Sequence, residues 1–353
     1  MSDPAHHRLL AWCRPGFEGE CAQELSKHDT LHGGGGYARA ERGSGFVEFE
    51  TLDESAAKRL MLTPGPRGMI FARQLLHVIG SVDDLPREDR LGVLMPFVEA
   101  DERDWCDVWV ESPDGDSGRE LSALCRALNA ALVTRMKSEK RLDRGSPWRL
   151  HVALLSPTRA RVAVSNTAAS GPWPGGIPRL RLPRAAPSRS TLKLEEAFLT
   201  LLDDTERGAW LQPGQTAVDL GAAPGGWTWQ LVHRSIRVQA IDNGPMDPQL
   251  MASGLVEHLR VDGFRYRPPR PVDWLVCDMV EQPRRVAARM AEWLANGWCQ
   301  QAVFNLKLPM KKRFDEVCLC MDLLRDACEG PLDLRARQLY HDREEITVFA
   351  RRG

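Results

Sequence analysis

The sequence predicts an α/β chain, with an open, mostly parallel sheet in its C-terminal half and smaller α+β units in its N-terminal half. Three observations predict it. In the C-terminal half, short apolar runs end one after another in or near an acid, at Asp219, Asp242, Asp262 and Asp278. The first run is followed by a glycine turn, with Gly221, Ala223, Pro224, Gly225 and Gly226, and then by the start of a helix. In the N-terminal half, strand-like and helix-like patterns alternate in shorter units. Strand, turn and helix in that order are the mark of a parallel sheet with crossover helices.

Taken in order, residues 8–13 read as a strand, 18–27 as a helix, 45–50 as a strand and 54–62 as a helix. That order suits a small ferredoxin-like sandwich over residues 1–62. The stretch 63–68, Thr-Pro-Gly-Pro-Arg-Gly, breaks the pattern. A second α+β unit is expected over 69–168, with strands near 73–79, 107–111 and 148–155, the last paired with 159–164. A helix at 119–137 places Leu121, Leu124, Cys125, Leu128, Ala131, Leu132 and Arg135 at helical spacing, which defines a core face. Nothing in this half looks catalytic. Residues 169–187, rich in Gly, Pro and Arg, read as a linker or equally as a substrate loop. The last unit is 188–353. Its strands are expected at 216–220, 237–241, 256–261, 272–277 and 302–308, followed by a helix at 310–329 and an antiparallel pair at 332–340 and 345–351 that closes the sheet edge.

The turn after the first C-terminal strand is where such a sheet binds ligands, beyond the carboxyl ends of its strands. It is not G-x-G-x-x-G, so a pyrophosphate cradle is not indicated. Asp242 lies about 20 residues past the first glycine, the offset at which an acid takes ribose hydroxyls. Any one of the four acids could simply cap a strand-to-helix turn. Four of them around one glycine loop favour a site, and S-adenosylmethionine suits it. The loop 223–226 should face the methionine end, Asp242 the ribose and Asp262 the adenine edge, with Asp278 where cofactor and reaction centre meet.

Four polar residues suggest a reaction. Lys193 lies just ahead of the first strand, Asp278 ends the fourth, Lys307 ends the fifth and Glu345 starts the last. A lone lysine or acid is usually a solvated surface residue. Lys307 is harder to dismiss, because it closes the apolar run 302–308, where its charge must be paired or its pKa lowered.

The segments S-R-S-T-L-K-L-E-E, D-L-G-A-A-P-G-G-W, C-D-M, N-L-K-L-P and R-E-E-I-T-V, in that order, resemble the motifs of the FtsJ-type RNA ribose 2′-O-methyltransferases. The match covers roughly the last half of the chain. Within that family the chain looks most like the bacterial enzymes of large-subunit ribosomal RNA, in which an N-terminal RNA-binding part precedes the catalytic domain. The resemblance implies a Rossmann-like, S-adenosylmethionine-dependent domain with a Lys-Asp-Lys-Glu tetrad on Lys193, Asp278, Lys307 and Glu345. Glu344 is the neighbouring candidate for the last acid, and strand alternation sends the two to opposite faces. It also implies Ser190 near the cofactor, a THUMP-type RNA-binding module in the second unit, and a cytidine of 23S ribosomal RNA, or of a large-subunit precursor, as the target. Lys307 is the expected general base. Burial and the Lys193 ammonium would lower its pKa while Asp278 and Glu345 oppose that, and the sequence does not sign the balance.

Composition sets the remaining bounds. A chain of 353 residues suits two or three domains. A net charge of −1 does not advertise nucleic-acid binding, although Arg135, Lys137, Lys140, Arg141, Arg144 and Arg149 cluster in one segment and Arg179, Arg181, Arg184 and Arg189 in another. The bland reading of either cluster is a solvated face; the second, beside Lys193, could meet phosphates. The nine cysteines are scattered, without a C-x-x-C pair; Cys277, Cys299, Cys318 and Cys320 fall on expected apolar faces and read as small core residues, not as metal ligands or disulfides, which fits a reducing cytoplasm. No signal peptide, membrane span or metal is expected. Competing readings are a methyltransferase of transfer RNA or protein, a non-catalytic RNA-binding protein, and a nicotinamide-dependent oxidoreductase. The absent G-x-G-x-x-G counts against the last.

Overall fold

A computed structural model describes residues 7–62 and 67–353. The first six residues and most of the expected pattern break at 63–68 lie outside the described residues. The chain divides into two compact units, 1–177 and 178–353.

The N-terminal unit opens with β1 (Arg8–Trp12), α1 (Glu18–Leu31), β2 (Tyr37–Ala40), β3 (Phe46–Glu50), α2 (Glu54–Leu62) and β4 (Gln74–Val82). These strands lie in the order β2-β3-β1-β4, antiparallel throughout, which is the ferredoxin-like arrangement. Strand β2 has no counterpart in the sequence reading. It is a four-residue edge strand without a buried position, so it carries no apolar alternation. The chain continues through α3 (Arg90–Glu99), β5 (Asp107–Glu111), α4 (Asp116–Ser138), β6 (Trp148–Ser156) and β7 (Arg159–Asn166). Strand β4 also pairs with β7, so one sheet of seven strands, β2-β3-β1-β4-β7-β6-β5, runs through the unit. Helix α3 was not anticipated either, since Pro96 interrupts its pattern. On α4, Leu121, Cys125, Leu128 and Leu132 are buried as expected, but Arg135 is exposed and paired with Glu139, and Met136 fills the core position.

The C-terminal unit comprises α5 (Thr191–Leu201), α6 (Asp204–Trp210), β8 (Thr216–Leu220), α7 (Gly226–Val232), β9 (Arg237–Ile241), α8 (Pro248–Met251), β10 (Val256–Leu259), β11 (Val272–Cys277), α9 (Pro283–Ala295), β12 (Cys299–Lys307), α10 (Arg313–Ala327), β13 (Leu332–Arg337) and β14 (Glu345–Arg352). Its sheet has the order β10-β9-β8-β11-β12-β14-β13. Strands β8 to β12 are parallel, and β14 is antiparallel to both β12 and β13. This is a Rossmann-like sheet with an antiparallel edge. The chain winds outward from β8 through β9 to β10, then crosses back to β11 and β12 on the other side. The crevice beyond β8 and β11 is therefore a topological switch point, the place where such sheets bind ligands. One face of the sheet is packed by Leu194, Phe198 and Leu201 of α5 against Trp274, Val276, Val303 and Phe349. Several expected elements shift at their ends: β12 starts three residues early, at Cys299, and β13 ends at Arg337 instead of residue 340. Strand β10 stops at Leu259, short of residue 261, and α10 starts only at Arg313, because Lys312 takes a left-handed conformation after Pro309.

Candidate active site

The turn after β8 is built by steric necessity. Gly221 has φ +79, and a Cβ there would stand 2.8 Å from Met279 Cγ. Gly225, also left-handed, precedes the first residue of α7. A Cβ on Gly226 would lie 2.2 Å from Ser190 Oγ and 2.4 Å from Ser188 Oγ, so the start of α7 closes directly onto the segment ahead of α5. Ala223 donates its backbone N–H to Asp242 Oδ2 at 3.1 Å, and Gly244 donates to Asp242 Oδ1 at 2.7 Å. A carboxylate has about four acceptor positions, so Asp242, half-buried beside the loop, retains capacity for a ligand hydroxyl.

The four acids do not share one depth. Asp219 is enclosed within β8, and Thr228 of α7 donates to it at 2.6 Å. Burial pushes its carboxyl up to about 7, the Thr228 bond works against that, and Asp278 and Asp242 add to it. It braces strand against helix. Asp262 lies in the turn past β10, exposed, accepting the Phe264 N–H at 2.9 Å.

Strand register brings the four predicted reaction residues together. Lys307, the last residue of β12, is the direct cross-strand partner of Glu345, the first of β14. Cys277 of β11 pairs with Phe304 of β12, which sets Asp278 beside Asn305. Lys193 comes from the first turn of α5. Lys307 Nζ donates to Asp278 Oδ1 at 2.8 Å and to Glu345 Oε2. Lys193 Nζ stands 2.5 Å from Glu345 Oε1 and 3.3 Å from Asp278 Oδ2. Two ammoniums and two carboxylates thus alternate in a closed ring, which compensates for holding a cation at the positive end of a helix. Burial alone would lower Lys307, yet Asp278 and Glu345 outweigh it and hold the ammonium above the ordinary lysine value. That signs the balance the sequence left open. Glu345 is 4% exposed. Glu344 points the other way, its carboxylate 63% exposed and paired with Arg313 at 2.6 Å.

The chain matches three families in succession: the RlmM ferredoxin-like domain at residues 6–76, the N-terminal region of ribosomal RNA large subunit methyltransferase M at 89–166, and FtsJ-like methyltransferase at 186–329. It is 51% identical over 347 residues to the ribosomal RNA large subunit methyltransferase M of Xanthomonas axonopodis pv. citri (strain 306), covering 98% of this chain and 99% of that one. The protein of that name from Xanthomonas oryzae pv. oryzae (strain PXO99A) is 51% identical over 348 residues, with the same coverage. The one from Xanthomonas campestris pv. campestris (strain B100) is 50% identical over 350 residues, again with 98% and 99% covered. The chain belongs to the ribosomal RNA large subunit methyltransferase M family. It is an enzyme of the methyltransferase class. The FtsJ-like match ends before Glu345, which the β12–β14 register nevertheless sets against Lys307.

Several neighbours of the ring escaped the sequence reading. Asn305 donates to Asp278 Oδ1 at 2.8 Å. Glu196 of α5 accepts the backbone N–H groups of Tyr340 and His341 at 2.7 and 2.9 Å. Asn305 did leave a signal: it lies two residues before Lys307 in an apolar strand, hence on the same face. Glu196 left none, since its partners are backbone groups far along the chain. Of the two basic clusters, the first is partly structural. Arg141 donates to three carbonyl oxygens, of Val98, Asp101 and Arg103, and Arg149 is buried over the Trp109 ring. In the second, Arg181, Arg184 and Arg189 are exposed and Arg179 lies over the Tyr340 ring at 5.6 Å. Among the described residues no group of His, Cys, Asp and Glu could hold a metal ion, and no helix is long and apolar enough to cross a membrane.

Proposed function

We propose that this methyltransferase uses S-adenosylmethionine to methylate the ribose 2′-oxygen of a cytidine in 23S ribosomal RNA or a large-subunit precursor. The observation that carries the reading is the ring of Lys193, Asp278, Lys307 and Glu345 beside the switch-point crevice. The residues present fit the cofactor. Gly221 and Gly225 keep the backbone open where a side chain would clash, and Asp242 offers free acceptor capacity. Ser190, Ala223, Pro224 and Gly226 border the same turn, and Asp262 is the candidate for the adenine edge. When bound, the cofactor supplies an electrophilic methyl group on a sulfonium. Lys307 takes the hydroxyl proton, and Lys193, Asp278 and Glu345 hold it in place. Much of the acceleration comes from positioning, worth ~7–11 kcal/mol in good cases.

The N-terminal half supplies RNA binding in this reading, with a ferredoxin-like part at 1–62 that β4 completes, a THUMP-type part over the remainder of 69–168 and the segment 169–187 leading to the catalytic unit. The exposed Arg181, Arg184 and Arg189 would meet phosphates. The nine cysteines, all free, fit a reducing cytoplasm.

The test is Lys307→Ala. Calorimetry should show normal S-adenosylmethionine binding, while single-turnover transfer to a ribosomal RNA fragment falls by about a hundredfold or more. Near-normal transfer would end the general-base assignment. Mapping ribose methylation in ribosomal RNA from cells lacking the protein would identify the nucleotide.

A further inference from the structure

We infer that Asp342 is a neutral carboxylic acid whose proton starts a hydrogen-bond chain, through Thr347 and Asn305, that orients Asp278 between the two lysines of the ring. Asp342, Thr347 and Asn305 are then positioning residues, and this kinetic role rests on the reaction proposed above.

Proton counting carries the inference. Asn305, Thr347 and Asp342 are all buried, so none can turn to water. Asn305 must present its amide nitrogen to Asp278, which is a carboxylate accepting from Lys193 and Lys307. Its amide oxygen then needs a donor, and Thr347 Oγ1 stands 2.7 Å from it. That bond uses the single proton of the threonine hydroxyl. Thr347 Oγ1 is also 3.2 and 3.1 Å from the two Asp342 carboxyl oxygens. With its proton committed, the hydroxyl can only accept there, so Asp342 is the donor and carries a proton. The other Asp342 oxygen accepts the Leu339 N–H, at 2.9 Å.

The opposite polarity fails twice. An ionised Asp342 accepting from Thr347 would strip the Asn305 oxygen of its donor in a fully buried position. It would also set a third negative charge near Glu345 and Glu196, with Lys193 already committed to the ring. Burial, then Glu345, raise the Asp342 carboxyl well above its ordinary value; Glu196 acts the same way, and the Leu339 N–H and Lys193 oppose.

The test uses the full-length protein. An infrared difference spectrum, wild type minus D342N at neutral pH, should show the carbonyl band of a protonated carboxyl group, and the subtraction removes any band from Asp219. Single-turnover transfer should fall by about a hundredfold in T347V and D342A, as a misplaced reacting group does, with S-adenosylmethionine affinity unchanged. T347S and D342N, which keep a donor at each link, should recover most of that loss. Absence of the band, or a T347V protein with wild-type transfer, would overturn the inference. If the wild type itself transfers no methyl group to RNA, the proposed function falls, while the band still decides the state of Asp342.

Discussion

In the proposed reaction Lys307 rests with its charge on and must lose that proton before it can act as the base. Two carboxylates hold its ammonium above the ordinary lysine value, so at neutral pH only a small fraction of molecules has the free amine a base requires. Transfer under single-turnover conditions should therefore climb with pH and still be climbing above pH ~9. Glu345→Gln removes one carboxylate, and burial then gains weight against Asp278. The rising limb should move to lower pH by about one unit. A limb that stays put in this variant means that another group titrates. Asp219 offers the complementary case. Its carboxyl is raised from 3.8 to about 7 in the fold, so the folded state binds the proton more tightly than the unfolded state. The stability this contributes is present at acid pH, is lost as pH rises from about 4 to about 7, and stays lost above. Asp219→Asn keeps an acceptor for Thr228 without the charge. It should stabilise the protein at pH 8 by up to about 3–4 kcal/mol, read by urea unfolding, and by little at pH 4. An equal effect at both pH values would show that the folded carboxyl titrates normally.

At the scale of elements, α5 carries both a ring member and the clamp for another. Lys193 faces the ring from its first turn, and Glu196 accepts from Tyr340 N, His341 N and His341 Nδ1. That clamp fixes the connection between β13 and β14, which holds Asp342 and ends at Glu345. Glu196→Ala removes the side-chain acceptor of two half-buried backbone N–H groups, so it should cost about 1–3 kcal/mol in urea unfolding and slow transfer as well. A loss below ~0.5 kcal/mol would mean that the connection holds without the clamp. The contrast between these two residues of one helix shows what a sequence displays. Lys193, Asp278, Lys307 and Glu345 were legible because charges at the ends of apolar runs are conspicuous, and because their segments resemble one family. Glu196 and Asp342 were not, since buried acids satisfied by backbone N–H groups look like any other acid until the chain is folded. The central strands β8, β11 and β12 were legible because nearly every position in them is buried and their apolar runs are long. Strand β2 and helix α3 were not, one lacking a buried face and the other holding a proline.

At the scale of the whole molecule, net charge says little about the substrate, since −1 over 353 residues is nearly neutral. Contact with RNA must come from local clusters, and the structure divides them unequally. Arg141 and Arg149 are spent on carbonyls and an aromatic ring inside the N-terminal unit, while Arg181, Arg184 and Arg189 stay exposed in the C-terminal one. Each unit has a seven-stranded sheet of its own. A unit with its own sheet and core meets the conditions for folding alone. Residues 178–353, expressed by themselves, should melt cooperatively and bind S-adenosylmethionine as the full chain does, because the glycine turn, Asp242 and the whole ring lie within them. Transfer to ribosomal RNA should fall by about a hundredfold or more in kcat/KM if the N-terminal unit supplies a second point of attachment, since a tethered contact raises the effective concentration of the other. The full chain should also lose affinity with added salt more steeply than the fragment, each phosphate contact contributing to the slope. A fragment that matches the full chain in kcat/KM and in salt dependence would strip the N-terminal half of its RNA-binding role while leaving the methyltransferase site intact.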